Sequence, residues 1–421
     1  MEGIMTGRGT SGVIFTVMIA SILSTPLTTG HAAGPARDVV VGNISAMTGP
    51  TSGTHMMCQS GSRDYLAYLN EEKGGISGKD GKAKIKYLAY DSQYVAAKAK
   101  DGFSRLREQG MDILTHCASG HSDALMMDYE QAKIPLVTGS QGVASLWSDW
   151  AYGNYHSGIA NMIRTWIVWQ KSEWVKAGKP GGTLVLGTIT TDEPYVPLAL
   201  WDVDSFVKEQ GVRLVKETIP KGTTDASPQL LRLKQAGVKQ IYVLSSANGA
   251  VVVLQSAKSM NLGTPLTQCA AATLGDVISL GGPKLAEGYQ GEYFFEPMSV
   301  NPKLKASPGL ALARNLWKKN HPNESPNDMY VNGILSGMVI AEGVRLALDK
   351  VPPDKLNGET IKKFGFDRIS GFTGMGLTKS ITYLPDDHIG PKQVRYWVVR
   401  NGYVEPVSDW MPTTTFRIPK K

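Results

Sequence analysis

Cysteine is scarce in this chain. Only Cys58, Cys117 and Cys269 occur in 421 residues, none in a CxxC pair or at Cys/His spacing. A zinc site needs such clustering, so that reading is excluded. In an oxidising compartment the arithmetic is one disulfide and one free thiol, with three pairings open. Long apolar runs are missing as well. The run Val13–Leu23 has eleven residues, against the roughly 20 needed to span a bilayer, and no later stretch reads as transmembrane. Net charge is +7, yet the basic residues are scattered, with no run of five and no stripe interleaved with aromatics. That pattern argues against nucleic acid as a partner. Internal repeats, low-complexity segments and flexible linkers are absent too.

Catalytic motifs are equally missing. A nucleophile elbow requires Gly-x-Ser-x-Gly, and Thr138-Gly139-Ser140-Gln141-Gly142 has Gly, Ser and Gly at the wrong spacing. Ser119-Gly120-His121-Ser122-Asp123 collects the residue types of a triad, but triads assemble in space rather than along a chain. Gly374 to Lys379 lacks Walker spacing, Gly42-Asn43-Ile44-Ser45 is no dinucleotide fingerprint, and HExxH does not occur. The expectation is a protein that is not an enzyme and needs no cofactor or metal. A secreted serine hydrolase using Ser140 or Ser122 is the alternative from another class.

What is present begins with an export signal. Arg8, the apolar run, the breakers Pro26 and Gly30, and the small residues at His31-Ala32-Ala33 have the layout of a cleaved signal peptide, residues 1–32. No cysteine lies near the cleavage site to carry a lipid. Cleavage after Ala32 leaves 389 residues, enough for about two domains, and the mature protein is expected to be soluble in the periplasm.

Helical patterns alternate with short β-rich runs from Arg37 onward, which defines an α/β class. Strands are expected at 37–45, 84–90, 111–116 and 134–138, with helices at 58–69, 96–109 and 123–133 and a turn at Gly74–Gly78. This series predicts a parallel sheet with helices on both faces. A long helix over 157–176 ends at Lys179-Pro180-Gly181-Gly182, after which the pattern restarts. Strands at 183–189, 212–219, 240–245 and 287–295 alternate with helices at 196–210, 227–236 and 250–260. Helices at 306–320 and 330–348 and a strand at 394–400 follow. The restart predicts a second lobe of the same class. Trp166, Trp169 and Trp174 on the long helix read as core.

Ligands of open α/β sheets bind beyond the carboxyl ends of the strands. Several strands here end in small, hydroxyl-bearing loops: Ser45–Gly53, His116–Ser122, Thr138–Gly142 and Ser245–Gly249. Such loops offer backbone N–H groups and hydroxyls to a carboxylate. Tyr152, Tyr155 and His156 precede the long helix near the expected lobe crossing and are candidates for the cleft.

Met47-Thr48-Gly49-Pro50, Asn70 with Gly74-Gly75-Ile76-Ser77-Gly78, Tyr90-Asp91, Cys117-Ala118-Ser119, Ile134-Pro135-Leu136 and the Tyr330 helix occur in a telling order. In that order and spacing the chain resembles the type I periplasmic solute-binding proteins of the branched-chain amino acid and amide class. The resemblance implies two Rossmann-like lobes with parallel-sheet cores joined by three crossovers, over 37–157 plus 294–369 and 158–293 plus 370–412. It implies a monomer that closes on a small molecule and docks on a membrane ABC permease, or a sensor of the same fold. Its lobe-one pocket falls on Thr54, Ala118, Ser119, Gly120, His121, Ser140, Gln141 and Gly142, and its lobe-two contacts on Tyr195, Ser246 and Ala270. Three departures stand out. Ser246 replaces an aromatic, Gly142 replaces a pocket threonine, and Ala270 replaces the acid that pairs with an α-ammonium group. A buried ammonium without a counter-charge is costly, so the expected ligand is a carboxylate or amide, aromatic in one version, unless Asp192 or Glu193 compensates. The family's partner for Cys117 falls on Gln93, leaving Cys117 to pair with Cys58 or remain free.

Overall fold

The computed structural model describes residues 37–419 except 50, 51, 80, 143, 179–181, 194 and 221. The export signal at 1–32 lies outside the described residues.

The first sheet has the order β4-β1-β5-β6-β7 and every pair in it is parallel. Its strands are β1 (Val39–Ser45), β4 (Ile85–Asp91), β5 (Ile113–His116), β6 (Leu136–Thr138) and β7 (Ala151–Gly153). A small hairpin, β2 (Ile76–Gly78) with β3 (Gly81–Ala83), leads into β4. The helices between them are α1 (Ser52–Lys73), α2 (Ala96–Glu108), α3 (Ser119–Ala124) and α4 (Met126–Gln131). Strand β1 is buried at every position, as its continuous Val/Ile run demands of a strand covered on both faces.

After α5 (Ile159–Lys176) the chain builds a second sheet, ordered β14-β13-β12-β11-β10-β8-β9 with β15 paired to β13. Its parallel part holds β8 (Leu184–Thr191), β9 (Val212–Ile219), β10 (Gln240–Leu244), β11 (Leu266–Gln268) and β12 (Gln290–Tyr293). Helices α6 (Val196–Ala199), α7 (Val203–Gln210), α8 (Ser227–Gln235), α9 (Ala247–Ser259), α10 (Leu274–Gly281) and α11 (Pro283–Ala286) connect these strands. The chain then returns to the first sheet with α12 (Pro308–Asn320), α13 (Asp328–Leu348) and α14 (Gly358–Phe364). It ends on the second sheet with β13 (Gln393–Arg400), β14 (Tyr403–Pro406) and β15 (Met411–Pro412), whose pairings are antiparallel.

Four expectations are corrected. The helix over 123–133 begins earlier, at Ser119, and breaks at Leu125 into α3 and α4. The helix over 196–210 also breaks, because Asp202 sits in the left-handed region at φ 46° between α6 and α7. Gly74–Gly78, read as a turn, extends into β2. Finally, α13 is long and apolar enough to cross a membrane. Its surface is spent inside the protein, packed along α1 with 18 buried residues. The tryptophans are core as expected: Trp166 is buried against Tyr242, and Trp169 stacks on Tyr396 at 3.9 Å between centroids.

Candidate ligand site

In the first sheet β1 lies between β4 and β5, so the chain runs outward in opposite directions from the β1/β5 pair. The crevice beyond that switch point is the expected binding edge. The β1 loop is fastened there by Asp91, whose carboxylate accepts from Met47 N (2.8 Å), Thr48 Oγ1 (2.6 Å) and Gln93 N (3.0 Å). Desolvation alone would raise the Asp91 pKa, but the hydrogen bonds from Thr48, Gln93 and Met47 together hold it below the usual carboxylate range.

Across the switch point, Cys117 is joined to Cys58 in a disulfide, which ties the β5–α3 loop to α1. Cys269 is a buried free thiol. Ala118 is buried and donates its N–H to His116 Nδ1 (3.3 Å), while Ser119 opens α3 half-buried. His121 is buried, with Nδ1 3.3 Å from the Ile44 carbonyl. The Ser140 backbone is held by Thr138, which accepts its N–H at 3.0 Å, and its carbonyl accepts from Ser122 Oγ (2.8 Å) and Thr138 Oγ1 (2.9 Å). The Ser122 hydroxyl, fully buried, is thereby donated to backbone rather than set against an imidazole and an acid, as a nucleophile would be.

Gly142 has a packing reason. A Cβ there would lie 2.3 Å from the Asp123 carboxylate, which accepts from Ser145 N at 2.9 Å. The threonine that the resemblance places there would meet that carboxylate. Gln141 turns its amide toward the Ala151 carbonyl (3.4 Å) and against Gly153, so its side chain serves its own sheet. Thr54 is exposed on the first turn of α1.

The second sheet supplies the facing edge. Tyr195 caps α6 half-buried, with its hydroxyl buried near Thr191. Ser246 caps α9, half-buried, next to Ser245, which accepts from Thr191 Oγ1 at 3.2 Å. Ala270 follows β11 and is buried. Its carbonyl accepts from Tyr155 Oη at 2.7 Å, so a residue beyond β7 of the first sheet meets one beyond β11 of the second. His156 is buried beside Tyr155; its Nδ1 accepts from Gly158 N at 3.1 Å and burial pulls its pKa down to about 4. Asp192 is exposed and Glu193 half-buried.

Sequence reasoning missed four residues here. His55, His116 and Tyr94 gather around His121, and Glu292 lies under Ala270, accepting Ala270 N (3.0 Å) and Tyr242 Oη (2.7 Å). His116 opens the candidate loop His116–Ser122 but was not singled out within it. His55 and Glu292 carry no local signal, since their neighbours come from elsewhere in the chain. Among the described residues no group of three His, Cys, Asp or Glu could hold a metal ion.

A parallel sheet and a second sheet with a parallel part, joined beyond their carboxyl edges by the Tyr155–Ala270 hydrogen bond, with α12 to α14 and the terminal strands crossing back, define the two-lobed binding-protein class. The chain belongs to the family described as periplasmic binding protein, whose model matches residues 38–398, and it has the type I fold. The structure resembles a branched-chain amino acid ABC transporter protein from Thermus thermophilus with bound valine, at TM-score 0.76 and 19% identity, over 91% of this chain and 98% of that one. It resembles a leucine-binding protein from Thermotoga maritima at TM-score 0.67 and 19% identity, over 89% and 99%. It also resembles a fatty acid ABC transporter substrate-binding protein from Thermomonospora curvata at TM-score 0.71 and 16% identity, over 92% and 97%. No curated protein matches the sequence.

Proposed function

We propose that this protein captures a small carboxylate, amide or amino-acid-like ligand between its lobes and delivers it to a membrane ABC permease. The lobes are assigned to 37–157 plus 294–369 and 158–293 plus 370–412, and the working form to an exported monomer in the periplasm. The observation that carries the reading is the Tyr155–Ala270 hydrogen bond, which spans the two carboxyl edges where a ligand would be enclosed. Affinity then comes from closure, not from bond chemistry. Thr54, Ala118, Ser119, His121, Ser140, Gly142, Tyr155, His156, Tyr195, Ser246 and Ala270 are the proposed lining, with Gln141 contributing backbone alone.

A thermal-shift panel of branched-chain amino acids, amides and aromatic carboxylates tests the ligand class, because binding to the folded state alone raises Tm. If only α-amino acids raise it, the inference from Ala270 is wrong. Tyr195→Ala is expected to weaken the best ligand by about tenfold with Tm of the free protein unchanged; an unaltered Kd removes Tyr195 from the site. Uptake that depends on a cognate permease separates import from sensing.

A further inference from the structure

Three imidazoles from three different elements meet at the switch point: His55 from α1, His116 from β5 and His121 from α3. All are at least nine-tenths buried. The His116 and His121 rings pack edge to face at 5.8 Å between centroids. Tyr94, from the loop between β4 and α2, lies over the group, 5.1 Å from His55 and 5.3 Å from His121. Tyr94 is itself exposed at 42%, and it and Gln93 both hold positive φ, 60° and 52°. Two consecutive non-glycine residues in the left-handed region are strained and persist where the surroundings require them.

The hydrogen bonds of the cluster assign its protons. His116 Nδ1 accepts from Ala118 N, so the neutral ring carries its hydrogen on Nε2. The Ile44 carbonyl can only accept, so His121 carries its hydrogen on Nδ1 and leaves a lone pair on Nε2. Both Nε2 atoms, and His55 Nδ1, are buried without a partner among the described residues. An unmet donor and an unmet acceptor therefore sit on rings whose centroids are 5.8 Å apart, and leaving buried polar atoms unsatisfied is costly. Burial, followed by the charge of His121, brings the His55 pKa down to about 4, and burial lowers His116 and His121 too, so the rings are neutral near pH 7.

We propose that His116 and His121, roofed by Tyr94, form a subsite for a neutral carboxamide-like group, its carbonyl oxygen taking the His116 Nε2 hydrogen and its N–H donating to His121 Nε2. This deepens the capture reading above and rests on it. A carboxylate has only acceptors to place against the His121 lone pair, and an ammonium has only donors to place against His116. Neither satisfies both nitrogens. The metal alternative fails on the same protons, since His116 Nε2 has no lone pair to give.

Nitrogen-15 NMR of histidine-labelled full-length protein at pH 7.5 reads the tautomers directly. Hydrogen on Nε2 of His116 and on Nδ1 of His121 is expected; the reverse at either ring overturns the subsite without any variant being made. Matched pairs, isobutyramide against isobutyrate and benzamide against benzoate, are then titrated. The amide of a pair is expected to bind at least about tenfold tighter and to shift both imidazole signals. His121→Phe should abolish that preference, and Tyr94→Ala, at an exposed position, should weaken the amide several-fold while the protein stays folded. If the carboxylates bind as well or better, or the amides bind without moving the imidazole signals, the subsite is wrong and the capture reading survives. If no member of the four binds, the subsite is likewise removed, and the capture reading is then decided by the wider panel.

Discussion

Glu292 is a carboxylate held directly beneath one wall of the cleft. Its Oε1 accepts from Ala270 N and Tyr242 Oη, while Oε2 is buried without a partner among the described residues. Burial raises its pKa from 4.5 to about 7, against the two hydrogen bonds that favour the ionised form. The folded state thus holds a proton that the unfolded chain releases between those values, so folding stability falls as pH rises from about 5 to 8. At roughly 1.4 kcal/mol per unit, the effect is up to about 3 kcal/mol. Glu292→Gln keeps an acceptor for Ala270 and Tyr242 without the charge. Its stability, followed by urea unfolding across that range, is expected to lack this part of the slope, leaving the variant the more stable protein at pH 8. Parallel slopes for the two proteins would show that Glu292 does not titrate there. None of this is visible at residue 292 in the sequence. The residue at 270 suggested a missing acid, and the acid that is present lies one strand away, bonded to the backbone of that same residue.

Helix α1 carries Thr54 and His55 of the proposed site, and its seat is α13. The two helices cross so closely that a Cβ on Gly333 would lie 1.9 Å from the Cys58 carbonyl oxygen, and one on Gly61 would lie 2.1 Å from that of Tyr330. Gly333→Ala must therefore push α1 outward, at a cost of about 1–3 kcal/mol or more, and should loosen ligand binding by moving the first turn of α1. Gly53→Ala is the control, because nothing lies within 4 Å of its Cβ position, and alanine there should leave Tm equal or slightly higher. Equal Tm values for Gly333→Ala and the parent would mean that the helices accommodate the methyl. At this scale the sequence was readable where period and length were generous. The unbroken Val/Ile run of β1 and the alternating β9 matched their expected spans closely. Strands β7 and β11, three residues each, are too short to show any period and were not foreseen. The 196–210 helix failed because Asp202 adopts a left-handed conformation that an apolar pattern does not announce. At the site, loop chemistry pointed to His121 and Ser140. The packing that surrounds His121 with His55, His116 and Tyr94 brings together residues up to 66 positions apart, and no local pattern encodes it.

At the scale of the whole molecule, the proposed function rests on a difference between two arrangements of the lobes, and a ligand shifts such a balance only through contacts made in one of them. Tyr155 Oη donating to the Ala270 carbonyl is such a contact, since it joins the segment after β7 to the segment after β11. Its partner carbonyl belongs to a residue whose N–H is already anchored on Glu292, so the acceptor is held in place before the lobes meet. Tyr155→Phe removes the donor and keeps the ring, which packs on Phe295 and His156. A hydrogen bond of this kind contributes about 1 kcal/mol, enough to change a closed-to-open ratio roughly fivefold. Small-angle scattering of the free variant is therefore expected to show a larger radius of gyration than the parent, with the difference shrinking as ligand saturates the site. Ligand affinity should fall by a similar factor, because closure must then be driven by ligand contacts alone. Scattering curves that superimpose, together with an unchanged Kd, would show that the bond follows closure and does not help to produce it.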